Sequence, residues 1–194
     1  MKHVTLKDSL FFYLARLRLG LSIKKLVALI PICTKSQAYR LVEKIRVILI
    51  EKFVNKHLGF DHITRGEINI RHTTTLSKEL FDSNEESLIL VWDGTYVYIE
   101  KSSNYSFGKH TYSQHKNLHL LKMMMCTTTT GYIVETFGPY LANGANNDAN
   151  IMKDIFDDEN HIRKFFKMED IFIVDRGFRD SLDFLNSLGV ETQT

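Results

Sequence analysis

The chain of 194 residues is long enough to bury a substantial core, and by length alone it forms one domain or two small ones. Its formal net charge is only +2, but residues 1–60 carry twelve Lys and Arg against three Asp and Glu, whereas residues 61–194 carry thirteen against twenty. Two cysteines without CxxC spacing argue against a disulfide framework and a structural zinc site, and no apolar run is long enough to span a membrane, so no membrane partner is expected. These features indicate a protein of a reducing compartment whose basic first part favours nucleic acid.

The first helix is predicted over residues 7–19, where apolar side chains recur at helical spacing before Gly20 stops the helix. Its apolar face is expected to carry four side chains, Leu10, Phe11, Leu14 and Leu17. Ser22 caps a short second helix over residues 23–30, which Pro31 closes.

A long third helix begins after the turn at residues 31–33, capped by Thr34 or Ser36. A short helix, a tight turn and a longer helix make the outline of a helix-turn-helix. In that motif the first residues of the helix after the turn reach base edges in the major groove of double-stranded DNA. The residues so placed suit contacts to bases and phosphates, and they are Lys35, Ser36, Gln37, Tyr39 and Arg40. A plain three-helix bundle with a basic surface is the alternative.

The chain between residues 61 and 87 is polar and irregular, with one short helix expected around residues 77–81. A domain boundary is expected within this connection. We therefore expect a helix-turn-helix domain over residues 1–60, a linker over residues 61–87 and an α/β domain over residues 88–194.

From residue 88 the pattern changes to that of β-strands. Residues 88–92 form a continuous apolar run that stops at Asp93 and Gly94, and residues 96–99 form a second β-rich run. The elements that follow are a hairpin, a helix, a strand and a helix, over residues 118–137, 147–156, 171–174 and 182–188, with a further short helix around residues 161–167. This order fits a mixed α/β sheet of the RNase H-like type.

Two of the predicted strands end in a carboxylate, Asp93 and Asp175. In an RNase H-like topology these strands are parallel neighbours about 4.8 Å apart, so the two carboxylates meet at the C-terminal edge of the sheet. Carboxylates at that separation repel each other unless a proton or a cation intervenes, and Mg²⁺ or Mn²⁺ prefers such oxygen ligands. Alternatively, Asp93 starts an Asp-Gly turn and Asp175 pairs with Arg176.

Five short blocks lie in order along the second part of the chain: Asp93-Gly94-Thr95-Tyr96, Tyr112-Ser113 with His115-Lys116, Gly138-Pro139-Tyr140, Asn147-Asp148-Ala149, and Asp175-Arg176-Gly177-Phe178. In this order they resemble the successive blocks of the DDE-superfamily endonucleases of the Harbinger-like transposase group. The preceding helix-turn-helix outline is similar to the one ahead of the nuclease in that family. The resemblance continues to about residue 188.

The resemblance implies an RNase H-like fold, DNA cleavage and strand transfer, and a metal ion held by two Asp and one Glu. By position the two Asp match Asp93 and Asp175, and His115 with Lys116 would contact phosphate, with solvated loop residues as the alternative. The Glu of the family lies on a helix well past the second Asp, and the sequence as given stops at Thr194 before that helix. We therefore expect a C-terminally truncated nuclease domain without nuclease activity of its own. Its expected location is the nucleus, or the cytoplasm in a prokaryote, with homo-oligomers possible.

Other titratable residues have simpler interpretations. His110, His115 and His119 resemble a zinc cluster, but no cysteine or carboxylate completes four ligands, so loop and strand histidines are favoured. Asp148 could be a third carboxylate, although its place at a helix start favours a capping role, which Asn147 is the alternative residue to fill, and Asp180 is interpreted as the cap of the last helix.

Two competing functions remain open. In the first, the protein binds DNA without catalysis, and the nuclease half is only a folded partner module. In the second, the protein is a phosphatase with an aspartyl nucleophile, which needs an Asp two residues before the acid of the Asp-Gly-Thr motif, where this chain has Val91.

Overall fold

The chain folds into two units, Met1–His57 and Leu58–Thr194. The computed structural model describes residues 4–81, 83–157 and 162–194. The boundary lies just before residue 60, the expected end of the first domain, and residues 61–81 and 83–87 belong to the second unit instead of forming a separate linker. No helix within the described ranges is long and apolar enough to cross a membrane.

The first unit contains three main helices, α1 (Leu6–Leu19), α2 (Ile23–Leu29) and α3 (Lys35–Leu49). Their ends are set locally, as predicted: Gly20 follows α1 with a φ of +60°, and Ser22 caps α2. Thr34, not Ser36, caps α3 through a capping box with Gln37. A π-helical turn (Ile50–Val54) and α4 (Asn55–His57) continue the third helix.

The core of the first unit is small. It consists of five buried residues, Phe12, Ile23, Leu26, Ala38 and Val42. The face of α1 that was expected to be buried is exposed, because its four apolar side chains retain 36–62% of their accessible surface. A unit of fewer than sixty residues buries only a narrow stripe of each helix, and Phe12, completely buried, occupies that stripe in α1.

The second unit begins with three short helical segments. They are α5 (Arg65–Glu67), a π-helical turn (Ile68–His72) and α6 (Thr75–Leu80), the last of which matches the short helix predicted here. Ile63 and Ile68 are buried in the main core of the unit. This burial explains why the segment packs with the sheet.

A six-stranded mixed sheet organises the rest of the unit. Its strands are β1 (Ile89–Tyr98), β2 (Tyr112–Ser113), β3 (Leu118–Thr128), β4 (Ile133–Leu141), β5 (Ile171–Ile173) and β6 (Glu191–Gln193). Strand β3 pairs antiparallel with β1, β2 and β4, whereas β5 pairs parallel with β1 and β6. The predicted mixed α/β class, the hairpin of β3 and β4, and the parallel pairing of β1 with β5 are confirmed.

Strand β1 is one strand of ten residues, and the two shorter runs that we expected are its two halves. It passes through Asp93 and Gly94 because both residues pair with β3, opposite Met125 and Met124. The Asp-Gly turn considered from the sequence is therefore not formed.

Helices and aromatic side chains complete the unit. The helices are α7 (Tyr105–Thr111), α8 (Asp148–Asp157) and α9 (Leu182–Ser187), with 3-10 helices at Arg163–Phe165 and Arg176–Ser181. Trp92 is almost completely buried, and the rings of Phe137, Phe156, Phe166 and Phe172 lie 5.4–6.3 Å from it. The short helix predicted around residues 161–167 starts outside the described residues, and its described part contains the 3-10 helix Arg163–Phe165.

Candidate functional site

Asp93 and Asp175 come together where β5 ends. The parallel register places Val91 opposite Ile173, and each aspartate lies two residues further along its own chain segment. Neighbouring strands lie about 4.8 Å apart, so the equal offset brings the two residues to the same edge of the sheet. Asp93 remains within β1 through its pairing with β3, whereas Asp175 begins the chain segment that leaves the sheet.

The carboxyl group of Asp93 interacts with two other negative charges. Partial burial is the largest cause that raises its pKa, and the charges of Asp175 and Asp148 raise it further, against a backbone hydrogen bond from Gly94 that lowers it. Both neighbours are therefore close enough to affect its protonation. The site contains three aspartates, one more than the two predicted.

Asp175 is held by the backbone that follows it. Its carboxylate accepts a hydrogen bond from the N–H of Gly177 at 2.7 Å and caps the 3-10 helix Arg176–Ser181. Within the described residues no ion pair joins Asp175 to Arg176, so the pairing considered from the sequence is not formed. The capping bond fixes the position of the carboxylate at the exposed end of β5.

Asp148 contributes the third carboxylate from the first turn of α8. Asn147 caps this helix by accepting a hydrogen bond from the N–H of Asn150 at 2.7 Å, which leaves the side chain of Asp148 free of that role. The interpretation of Asp148 as a cap is therefore wrong. Asp180 is not the cap of the last helix either, since Ser181 occupies that position and makes no side-chain capping bond.

Two glycines allow Asp148 to approach. A Cβ atom on Gly94 would lie 2.9 Å from Oδ1 of Asp148, and one on Gly177 would lie 3.0 Å from Oδ2. Non-bonded contacts of a Cβ atom under 3.0 Å are essentially absent from proteins and contacts of 3.0–3.4 Å are unusually tight, so any larger residue at either position would displace the Asp148 carboxylate. The carboxylate thus packs directly against the backbone that follows both other aspartates.

Lys122 and Tyr96 lie beside the aspartates, opposite each other on β3 and β1. The ammonium group of Lys122 is 3.5 Å from Oδ1 of Asp148, and only 16% of its side chain is exposed. Burial, followed by the charges of Asp148, Asp93 and Asp175, raises the pKa of the Tyr96 hydroxyl. Neither residue was assigned a role at the site from the sequence, although Lys122 interrupts the apolar run of residues 120–126 and so marks a polar position.

A cavity of about 990 Å³ opens next to this group, lined in part by Tyr96, Lys122 and Asn147. His115 also lines it, and the ammonium group of Lys116 lies 5.5 Å from the centre of the Tyr96 ring. The structure therefore places both predicted phosphate contacts near the aspartates.

The carboxylates of the site can be compared with the ligands that a metal ion requires. Over residues 4–81, 83–157 and 162–194, no group of three or more His, Cys, Asp or Glu side chains is arranged to hold a metal ion. Mg²⁺ does not need such a group, because it binds through one or two carboxylates and completes its shell with water and phosphate oxygens. The exposed pair Asp93 and Asp175 fits that mode of binding.

The residues predicted to contact DNA lie on the first turns of α3. Lys35, Ser36, Tyr39 and Arg40 are exposed. The side-chain oxygen of Gln37, in contrast, accepts hydrogen bonds from the N–H and Oγ1 of Thr34 at 2.9 and 3.0 Å. Gln37 would have to give up this capping box to contact a base with both ends of its amide.

The function of the chain has to be inferred from these side chains and from the charges of its two units. No protein-family model, curated protein or solved structure matches the chain.

Proposed function

We propose that the protein is a transposase-derived endonuclease domain of the DDE type, whose first unit binds double-stranded DNA and whose second unit binds the divalent cation used for phosphodiester cleavage, with no nuclease activity expected of residues 1–194 by themselves. One observation carries this proposal: Asp93, within β1, and Asp175, just after β5, each lie two residues beyond the paired residues Val91 and Ile173 of these adjacent parallel strands. That arrangement brings two acids from distant parts of the chain to one sheet edge.

The order of the strands supports an RNase H-like second unit. Strand β1 lies between the antiparallel β3 and the parallel β5, and α8 lies between β4 and β5 in the chain. In an RNase H-like sheet the first strand has an antiparallel neighbour on one side and a parallel neighbour on the other. The order of β3, β1 and β5 agrees with this arrangement.

Asp93 and Asp175 would hold Mg²⁺ or Mn²⁺, and Asp148 would add negative charge beside them. A bound divalent cation supplies polarisation of a phosphate and activation of a water molecule. The capping bond from Gly177 to Asp175 orients one carboxylate before any ligand arrives. The ammonium group of Lys122 neutralises part of the charge of Asp148, which leaves the exposed pair as the preferred position for the cation.

Helices α2 and α3 would form the helix-turn-helix. The turn between them, residues 30–34, is short, and four of the five predicted contact residues on α3 are exposed. Residues 1–60 carry twelve basic and three acidic residues, a charge that attracts the phosphates of DNA. A nuclear location is proposed together with this function.

Metal binding tests the proposal directly. Titration calorimetry of the full chain with MnCl₂ should detect binding, and Asp93→Asn and Asp175→Asn should each weaken it by about tenfold or more, the loss caused even by outer partners of a metal. Asp180→Asn is the control, because Asp180 is an exposed carboxylate in the 3-10 helix that Asp175 caps. This variant should bind Mn²⁺ as the wild type does. Equal affinity in all four proteins would contradict the proposal.

A non-catalytic DNA-binding protein is the second candidate. It is favoured by one observation, the lack of a ready group of three metal-binding side chains in the part of the chain that the structure describes. Incubation of supercoiled plasmid with the protein and MnCl₂ adds a second measurement: cleavage that Asp93→Asn abolishes would support the endonuclease and would contradict the expectation that residues 1–194 have no nuclease activity by themselves. Duplex binding with a steep salt dependence, without metal binding, supports the second candidate.

A further inference from the structure

The cavity beside the aspartates has a charge opposite to that of the surrounding chain. Residues 61–194 carry thirteen basic and twenty acidic residues. The cavity is nevertheless lined by Lys101, Lys109 and Lys122 and, among the described residues, by no Asp or Glu. A cavity lined by lysines and not by acids, in a part of the chain with an excess of acids, favours an anionic ligand.

Three tyrosines, Tyr96, Tyr105 and Tyr112, line the same cavity. Tyr105 is 85% exposed and Tyr112 is 40% exposed, so neither ring is buried in the core. The hydroxyl of Tyr112 donates to Asn117 at 3.4 Å, and its ring packs edge-on against His119, which holds the ring in place. Exposed rings of this kind offer flat faces on which nucleobases stack.

The position of the cavity connects it to the acids. Tyr96 lines the cavity, and the charges of all three aspartates raise the pKa of its hydroxyl. Lys122 also lines the cavity and forms an ion pair with Asp148. At about 990 Å³ the cavity is at the upper end of the range of roughly 300–1,000 Å³ for ligand pockets, which leaves room for more than one nucleotide.

We infer that this cavity binds a short stretch of unpaired, single-stranded DNA next to the aspartates, with phosphates on the lysines and bases on the tyrosines. Bases within a duplex are stacked on each other and cannot offer their faces to side chains, so the tyrosines select unpaired nucleotides. The identity of the nucleic acid as DNA rests on the proposed function. Beyond that function, the DNA that lies next to the aspartates is inferred to be single-stranded.

Fluorescence anisotropy of a fluorescein-labelled (dT)₁₂ with the full chain in EDTA tests this inference without any metal chemistry. Tyr105→Ala should weaken binding by about tenfold, the loss expected for one unstacked base, whereas Tyr105→Phe should retain the affinity because the ring remains. Tyr98→Ala is the matched control, since Tyr98 is 60% exposed on β1 but does not line the cavity. Far-UV circular dichroism checks that each variant is folded.

The lysines provide a second measurement. Lys101→Gln and Lys109→Gln should each lower the slope of log affinity against log salt by about 0.7 for (dT)₁₂, the value for one phosphate contact to a single strand. Lys164→Gln, an exposed lysine of the same unit that does not line the cavity, should leave the slope unchanged.

Two outcomes would overturn the inference. One is equal affinity of the wild type and Tyr105→Ala for (dT)₁₂; the other is binding of heparin as tight as that of (dT)₁₂, which would mean a surface for any polyanion. Tyrosine-dependent binding of (dT)₁₂ by a protein that fails to bind Mn²⁺ would support the inference while it refutes the proposed endonuclease, so the two failures are distinguishable.

Discussion

Asp148 places a third negative charge beside Asp93 and Asp175, and Lys122 supplies a positive one. At neutral pH such a group repels a phosphate and attracts a cation. In the proposed function, the acids would hold the cation and the lysines of the adjacent cavity would hold the rest of the nucleic acid. Residues of both signs therefore meet at this site, although Asp93, Lys122 and Asp148 come from different elements, β1, β3 and α8.

The raised pKa of Asp93 makes the stability of the fold depend on pH. A carboxyl group whose pKa is raised by folding holds its proton more tightly in the folded state, so stability is lost as the pH rises through that raised pKa. Asp93→Asn should therefore raise the Tm at pH 7, by the equivalent of about 0.5 kcal/mol because water screens an exposed carboxylate. The gain should vanish below about pH 3.9, where Asp93 is protonated in both states.

Thermal unfolding of the wild type and Asp93→Asn between pH 3 and 8 measures this difference. Asp180→Asn should show no such gain at pH 7. A gain that increases as the pH falls would have the wrong sign and would contradict the raised pKa of Asp93, which burial causes first and the charges of Asp175 and Asp148 increase.

At the scale of elements, a buried ion pair joins the start of the second unit to its sheet. Asp170 is completely buried and accepts hydrogen bonds from both terminal nitrogens of Arg65, at 2.5 and 2.7 Å. It also accepts from the N–H groups of Leu88 and Lys167, at 2.9 and 2.8 Å. One carboxylate thereby connects α5, the residue before β1 and the turn before β5.

Breaking this pair should be costly. Asp170→Asn leaves Arg65, only 19% exposed, without its charged partner, and we expect a loss of about 3–5 kcal/mol in the free energy of unfolding. Urea denaturation measures the loss. The exposed pair Glu43–Arg46 has the same separation of 2.5 Å, and Glu43→Gln should cost less than about 1 kcal/mol. Similar costs for the two substitutions would show that burial does not govern the Asp170 pair.

At the scale of the whole molecule, the two units carry opposite charges, and the proposed functions divide in the same way. Duplex DNA should bind to the first unit with an affinity that falls as salt increases. The second unit, with its excess of acids, should bind nucleic acid mainly where its lysines are concentrated.

Substitutions on α3 test this division in the full chain. Lys35→Gln with Arg40→Gln should lower the slope of log duplex affinity against log salt by about two, because each phosphate contact contributes about 0.9. Lys44→Gln with Lys52→Gln removes the same charge from exposed positions further along the same helical region and should change the slope less. An equal change in both double variants would refute the role of the first turns of α3.

Local signals in the sequence predicted local structure well. Gly20, Ser22 and Thr34 mark helix ends because their effects depend on hydrogen bonds and backbone angles within a few residues. Burial was harder to predict, since the apolar residues of α1 do not say which of them meets a partner. Phe12 was missed for that reason, and so was Asp170, whose three partner residues, Arg65, Leu88 and Lys167, lie in segments distant from one another along the chain.

By itself the sequence determined the mixed α/β class, the hairpin, and the position of Asp93 and Asp175 after apolar strand residues, because periodicity and strand-end acids are properties of short segments. Only the tertiary structure decided that β1 runs through Gly94, that Asp148 turns toward the acids, and that lysines and tyrosines share one cavity. These outcomes depend on contacts between residues far apart along the chain, as Gly94 with Met124, Gly94 with Asp148 and Tyr96 with Lys122, and no local pattern encodes such contacts.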